Sequence, residues 1–247
     1  MKEIAVTHLR HALLPVIAIV SAAGFTGCLG MDSKAGFTYK DLPVATSSAK
    51  AGEGHTVTLE GTPLALVGRG VKAGNRLRTA NLIDTDQKPV NIVKTGGVVR
   101  IISIVSSLET PVCEQQTHYL SEKNQGLDKD VDLITISMDT PAVQRQFAGK
   151  AGIRNVTFLS DAPAGEFGKA HGLLIGERHL LAHAVMVVDS YNVIRYMQVT
   201  PELAQMPNMD QLFAVAFARA RGEEIKDILD DPDSILVEPA GPQQQVP

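Results

Sequence analysis

"GGVVRIISIVSSLETPVC", Gly96–Cys113, decides how this chain folds. Its first eleven residues, Gly96–Ser106, are a nearly continuous run of β-branched and aliphatic side chains. Such a run suits a strand buried on both faces in the middle of a sheet. The pattern then breaks. Thr110 followed by Pro111 predicts a helix start, with Thr at the N-cap and Pro at the first helical position. Cys113 falls on the third helical position, beside unpaired backbone N–H groups and the positive end of the helix dipole. An anion is favoured there by a few tenths to about 1 kcal/mol. A thiol so placed has a lowered pKa and is partly thiolate, the reactive form. The same cysteine also reads as a small buried apolar residue, and the helix start alone does not choose between the two.

Outward from this stretch, strands and helices alternate. Toward the N-terminus, "HTVTLEGTPLALV" (His55–Val67) has period two on both sides of Glu60-Gly61 and predicts a hairpin. "TANLIDTDQKPVNI" (Thr79–Ile92) reads similarly, with a turn near Asp86. Toward the C-terminus, "VDLITISM" (Val131–Met138) is a strand, and Thr140-Pro141 repeats the helix start of Thr110-Pro111. "NVTFLS" is a strand, "GEFGKAHGLL" a short helix, and "HAVMVVDSYNVIRYMQV" two strands around a turn at Ser190–Asn192. "MDQLFAVAFARAR" (Met209–Arg221) closes as an amphipathic helix. The expected class is α/β: a thioredoxin-like fold with a central mixed sheet flanked by helices and an N-terminal β-hairpin.

The ends read differently. Residues 1–28 begin weakly basic (Lys2, Arg10), pass through the short apolar run Leu13–Phe25 and end in "FTGC". The run is too short to span a membrane comfortably and has the outline of a secretory signal. "FTGC" resembles the lipobox of bacterial lipoproteins, in which the cysteine, here Cys28, is lipidated and becomes the mature N-terminus. An ordinary signal peptide cut near Ala22-Ala23 is the other reading. Residues 29–52 are small, polar and without period, and are expected to be a flexible tether. Residues 53–221 would be the folded domain, and 222–247 an acidic, then Pro/Gln-rich tail.

A net charge of −4 gives no basic surface for nucleic acid, and the absence of Trp leaves little for stacking bases. The two cysteines, far apart and without CxxC or Cys/His ligand spacing, argue against a metal site or a disulfide framework. No cofactor is called for. Gly68–Asn75 lacks the Lys-Ser/Thr ending of a phosphate loop and reads as a plain loop. His118 and His171 are expected on exposed or half-buried helix faces, with no role.

From about Thr56 to Arg219 the chain resembles the thiol peroxidases, a branch of the peroxiredoxins. The resemblance rests on "VTLEGTPLALVG", "TGGVVRIISIVSSLETPVC", "GIRNVTFLSD" and "AHAVMVVDSYNVI", in that order. The family's cysteine loop runs Pro-x-x-x-Thr-x-x-Cys, and Thr110 and Cys113 match its last two fixed positions. The resemblance implies attack of a Cys113 thiolate on a peroxide O–O bond, giving a sulfenic acid. Thr110 would hydrogen-bond the thiolate and orient the peroxide, and the N–H groups of Val112 and Cys113 would bind its oxygens. A thioredoxin-like or low-molecular-weight thiol would restore the cysteine, the lipid on Cys28 would hold the protein to a bacterial membrane facing the periplasm or exterior, and the family implies a homodimer.

Three positions depart from the family. Ser106 stands where the loop has proline, His183 of "AHAVMV" where a later strand has arginine, and Ala148 where the second helix has its resolving cysteine. Without that cysteine no intramolecular disulfide forms, and an external thiol is needed. His183 is either an imidazolium beside the thiolate or a packed strand residue. Arg145, Arg154 and Arg195 are alternative sources of positive charge, and Glu109 and Glu114 flank the loop. The expected activity is a one-cysteine peroxidase; the alternative is a catalytically degenerate lipoprotein that keeps the scaffold for binding.

Overall fold

The computed structural model describes residues 36–95 and 97–223. The hairpin strands β1 (Thr56–Leu59) and β2 (Thr62–Val67) turn at Glu60 and Gly61, whose φ values of 51° and 78° give the left-handed pair that a two-residue hairpin needs. Strands β3 (Asn81–Asp84) and β4 (Pro89–Asn91) follow, then β5 (Val99–Ile104). Helix α1 (Pro111–Glu122) leads to β6 (Val131–Ser137), and α2 (Pro141–Ala151) to β7 (Thr157–Ser160). After α3 (Glu166–His171) come β8 (Leu174–Ile175), β9 (Leu180–Leu181), β10 (Ala184–Val188), β11 (Ile194–Val199) and α4 (Met209–Ala220).

Seven strands form one mixed sheet in the order β11-β10-β5-β6-β7-β3-β4. β5 lies inside it, parallel to β6 from Val99↔Val131 to Ile104↔Ile136 and antiparallel to β10. Its alternating side chains feed two cores. Ile102 and Ile104 pack with the hairpin residues Val57, Leu64 and Leu66 on one face. Ile101 and Val105 pack with Leu120 of α1 and Leu212 and Phe213 of α4 on the other. Each fully buried aliphatic side chain contributes about 1.5–3 kcal/mol, so this double burial makes the run a strand and fixes its register.

A second sheet, β1-β2-β8-β9, was not legible in the sequence, because β8 and β9 have two residues each and show no period. Part of the segment expected as a flexible tether, residues 29–52, is instead ordered. Residues 45–49 run beside edge strand β11: Ala49 N–H donates to the Val199 carbonyl (2.9 Å) and Val199 N–H to Ser48 Oγ (3.0 Å). Ala45 N–H reaches the Met206 carbonyl at 2.8 Å. A polar segment without period is thus ordered by covering unpaired groups of a sheet edge. Gly52 N–H donates to the carbonyl of Gly172 at 2.9 Å. Gly172 ends α3 with φ 69°, and a Cβ there would lie 2.6 Å from Gly52 Cα.

His118 and His171 are buried, not exposed. His171 accepts from Arg78 N–H at Nε2 (3.0 Å) and faces the Phe167 carbonyl through Nδ1 (2.9 Å). Burial, only partly opposed by that carbonyl, pushes its pKa down to about 4. It is a neutral strut between α3 and the loop before β3. The reading of residues 1–28 and of most of the tail falls outside the described residues.

Candidate active site

The link between β5 and α1 is held from the next crossover. Asp139, just after β6, accepts from Ser107 Oγ (2.9 Å) and from Leu108 N–H (2.8 Å). With the loop pinned, Thr110 takes the extended N-cap conformation and Pro111 opens α1. The two Thr-Pro starts then differ. Thr140 Oγ1 accepts from Val143 N–H at 3.4 Å, whereas the Thr110 hydroxyl makes no cap bond and donates to the Ser107 carbonyl at 3.2 Å. The first intrahelical bond of α1 runs from Glu114 N–H to the Thr110 carbonyl at 2.9 Å. The N–H groups of Val112 and Cys113 precede it and have no intrahelical acceptor.

Cys113 is fully buried at this helix start, and His183, one residue before β10, comes against it. Nε2 lies 3.0 Å from Sγ. The Ser106 hydroxyl completes a triangle, 2.9 Å from Nε2 and 3.6 Å from Sγ. The histidine backbone is fixed independently, its carbonyl accepting from Thr200 N–H at 2.9 Å. Its other ring nitrogen, Nδ1, is buried without a partner among the described residues. No carboxylate or carbonyl therefore holds the far side of the ring, and an N–H left unpaired there costs about 1–3 kcal/mol.

Burial is the largest single influence on Cys113 and pushes its thiol pKa up. The charge of His183 and its hydrogen bond, with smaller help from the Thr110 hydroxyl and the Ser107 backbone, more than reverse it and bring the pKa down to about 6. At pH 7 about nine-tenths of such a thiol is thiolate. The site therefore joins a buried, readily ionised sulfur to helix N–H groups without intrahelical acceptors and to an imidazole in contact with the sulfur.

The Redoxin family pattern matches residues 72–213. A thiol peroxidase of Streptococcus pneumoniae is 35% identical over 162 residues, covering 66% of this chain and 99% of that protein. The chain belongs to the thiol peroxidase family. A second thiol peroxidase, from Aquifex aeolicus, is 37% identical over 160 residues, covering 64% of this chain and 94% of the other. Among solved structures, a peroxiredoxin-like protein from Aquifex aeolicus superposes with a TM-score of 0.61 at 35% identity, covering 66% of this chain and 95% of that one. The peroxiredoxin fold and family chemistry, peroxide reduction with a thiol reductant, follow from this membership.

Within that frame the departures acquire places. His183 stands in direct contact with the sulfur rather than packed away from it. The arginines do not take its place. Arg145 bonds the Thr85 carbonyl and Asp86 (3.2 Å to the carboxylate), Arg195 pairs with Asp189 at 2.7 Å, and Arg154 is exposed. None of them shifts Cys113, nor do the exposed Glu109 or the half-buried Glu114. Ala148 sits half-buried on α2, and Cys113 is the one cysteine among the described residues. Sequence reasoning missed Ser106 as a member of the site, seeing only the proline it lacks. It also missed Asp139, whose one signal was a carboxylate directly before the second Thr-Pro.

Proposed function

We propose that this protein is a one-cysteine, thiol-dependent peroxidase that reduces hydrogen peroxide or organic hydroperoxides through Cys113. The observation that carries the reading is the 3.0 Å contact between Cys113 Sγ and His183 Nε2 at the start of α1. It supplies, from a histidine, the positive charge that a buried thiolate needs. The thiolate attacks one peroxide oxygen and the O–O bond breaks, leaving Cys113 sulfenic acid and an alcohol or water. A first external thiol converts the sulfenic acid to a mixed disulfide with loss of water. A second external thiol then releases Cys113 and leaves with the first as a disulfide. Thioredoxin-like proteins and low-molecular-weight thiols are the reductants of this reading, and a homodimer is its assembly.

Dimedone added after one equivalent of hydrogen peroxide is expected to label Cys113 stoichiometrically, as read by mass spectrometry. A thiol that survives excess peroxide unlabelled would leave a binding scaffold as the function. The reading places the protein on a bacterial membrane, facing the periplasm or exterior, through lipid on Cys28. Several acyl chains on one residue give stable anchoring where a single chain is marginal. Cys28→Ala is expected to move the protein from the membrane fraction to the soluble fraction or to leave it unprocessed. A mature N-terminus elsewhere, without lipid, would end the anchor reading.

A further inference from the structure

We infer that the Ser106 hydroxyl carries a proton from His183 to the oxygen that leaves the peroxide, an assignment that rests on the peroxidase reading above. When the thiolate attacks, an S–O bond forms, the O–O bond breaks, and the departing oxygen takes the electron pair. As hydroxide or alkoxide it is a strong base and needs a proton in the same step. The side chains that meet at the sulfur are buried: Cys113 is 0%, His183 2% and Ser106 8% exposed. They are the protic groups nearest to the reacting oxygens.

Three protic groups are at hand. The single proton of the Thr110 hydroxyl is already shared between the Ser107 carbonyl, at 3.2 Å, and the thiolate whose pKa it helps to lower. His183 Nε2 faces sulfur at 3.0 Å, and the leaving oxygen starts one O–O bond beyond the oxygen that sulfur takes. Ser106 Oγ lies within hydrogen-bond reach of the imidazole, 2.9 Å, and beside the sulfur, 3.6 Å. A hydroxyl accepts one proton with a lone pair while it releases its own, so it moves charge without accumulating any.

The orphaned Nδ1 times the transfer. With no carboxylate behind the ring, the thiolate is the anion that holds the imidazolium. Attack moves that negative charge from sulfur to the leaving oxygen, and the sulfenic sulfur is neutral. The imidazolium then faces no anion except the one it must protonate. Other elements packed here do not replace it. Asp139, from the β6–α2 link, is engaged with Ser107 and Leu108, and Thr200 beside β11 is neutral. On α1, Glu114 is half-buried and Glu109 before it is exposed. After the step His183 is neutral, and the path runs backward. An incoming thiol gives its proton through Ser106 to Nε2, its thiolate forms an S–S bond with Cys113, and the S–O bond breaks. The departing hydroxide takes the proton from His183 and leaves as water.

The test is to compare oxidants and an alkylating agent on Ser106→Ala and Ser106→Thr. Hydrogen peroxide and tert-butyl hydroperoxide expel strong bases, whereas peracetic acid expels acetate and iodoacetamide expels iodide, which need no proton. Ser106→Ala is expected to slow sulfenic acid formation with the two peroxides about tenfold to a hundredfold. It should leave the rates with peracetic acid and iodoacetamide, and the pH profile of alkylation, close to wild type. Ser106→Thr, which keeps the hydroxyl, should recover most of the peroxide rate. Equal losses with all four reagents would make Ser106 a packing residue and overturn the assignment, as would no loss with any. A wild-type protein that peracetic acid and the peroxides all fail to oxidise would instead remove the peroxidase reading itself.

Discussion

Arg100→Ala is expected to destabilise the fold by about 3–5 kcal/mol, from buried acceptors left unpaired at about 1–3 kcal/mol each and from the cavity left by the side chain. Arg100 is 0% exposed near the start of β5. Its Nη1 donates to the Ile92 carbonyl (2.9 Å) and to Thr95 Oγ1 (3.0 Å), and its Nη2 to Asn192 Oδ1 (2.6 Å) and the Asp189 carbonyl (3.4 Å). One side chain thus ties the 3-10 turn Ile92–Thr95 to the β10–β11 turn. Burial lowers its pKa, while Asp132 and Asp189 act in the other direction. Alanine would leave these acceptors without their donor and a cavity beside them. Arg100→Met, which fills the space without donors, should recover only the cavity part. Urea denaturation followed by circular dichroism checks this, and a loss below about 1 kcal/mol would place the acceptors in contact with water. Ser106 lies six positions after Arg100 along an extended chain, roughly 20 Å at 3.3 Å per residue, so peroxide consumption per folded molecule should not change.

Arg100 also shows what the sequence does and does not disclose. A run of aliphatic residues announces a strand because burial on two faces demands it, and the run around β5 does so despite the arginine within it. The charge at its partners' disposal is settled by residues 92, 95, 189 and 192, brought together only by the fold. Helix starts are equally legible, since Thr-Pro constrains the backbone locally. What the threonine hydroxyl then does is not, as Thr140 caps its helix and Thr110 bonds Ser107. Cys113 was readable at the third position of α1 for the same local reason. The character of its pocket was not, because Ser106 and His183 are 77 residues apart and each is innocuous alone. Residues 37–52 carry no period, and their order comes from partners on β11, α1 and α3. Phe37 stacks on His118 at 3.9 Å and the Gln115 side chain pairs with the Lys40 backbone at 2.7 and 2.9 Å.

His183→Ala is expected to cost about a hundredfold in peroxide consumption near pH 7. Burial alone pushes the Cys113 thiol above its ordinary value of 9.0, and the charge and hydrogen bond of His183 are the main influences that bring it down to about 6. Without them no more than about one thiol in a hundred is ionised at pH 7, against about nine in ten in the wild type. The dipole of α1 recovers only part of this, since its influence is at most about 1 kcal/mol at ordinary sites. The deficit should shrink about tenfold for each pH unit gained, until the thiol titrates. Wild type should behave otherwise. Its reactive thiolate forms as pH rises through about 6, so its rate should climb to a plateau from about pH 7. His183→Arg should keep the thiolate, because a guanidinium stays charged. It cannot return its proton to the leaving oxygen, so its plateau should lie below the wild-type maximum if Ser106 carries a proton from position 183. Stopped-flow oxidation and iodoacetamide alkylation across the same pH range separate the two contributions, since alkylation reads thiolate alone. A His183→Ala protein whose alkylation still titrates near pH 6 would make His183 a packing residue and leave the helix start to activate the sulfur by itself.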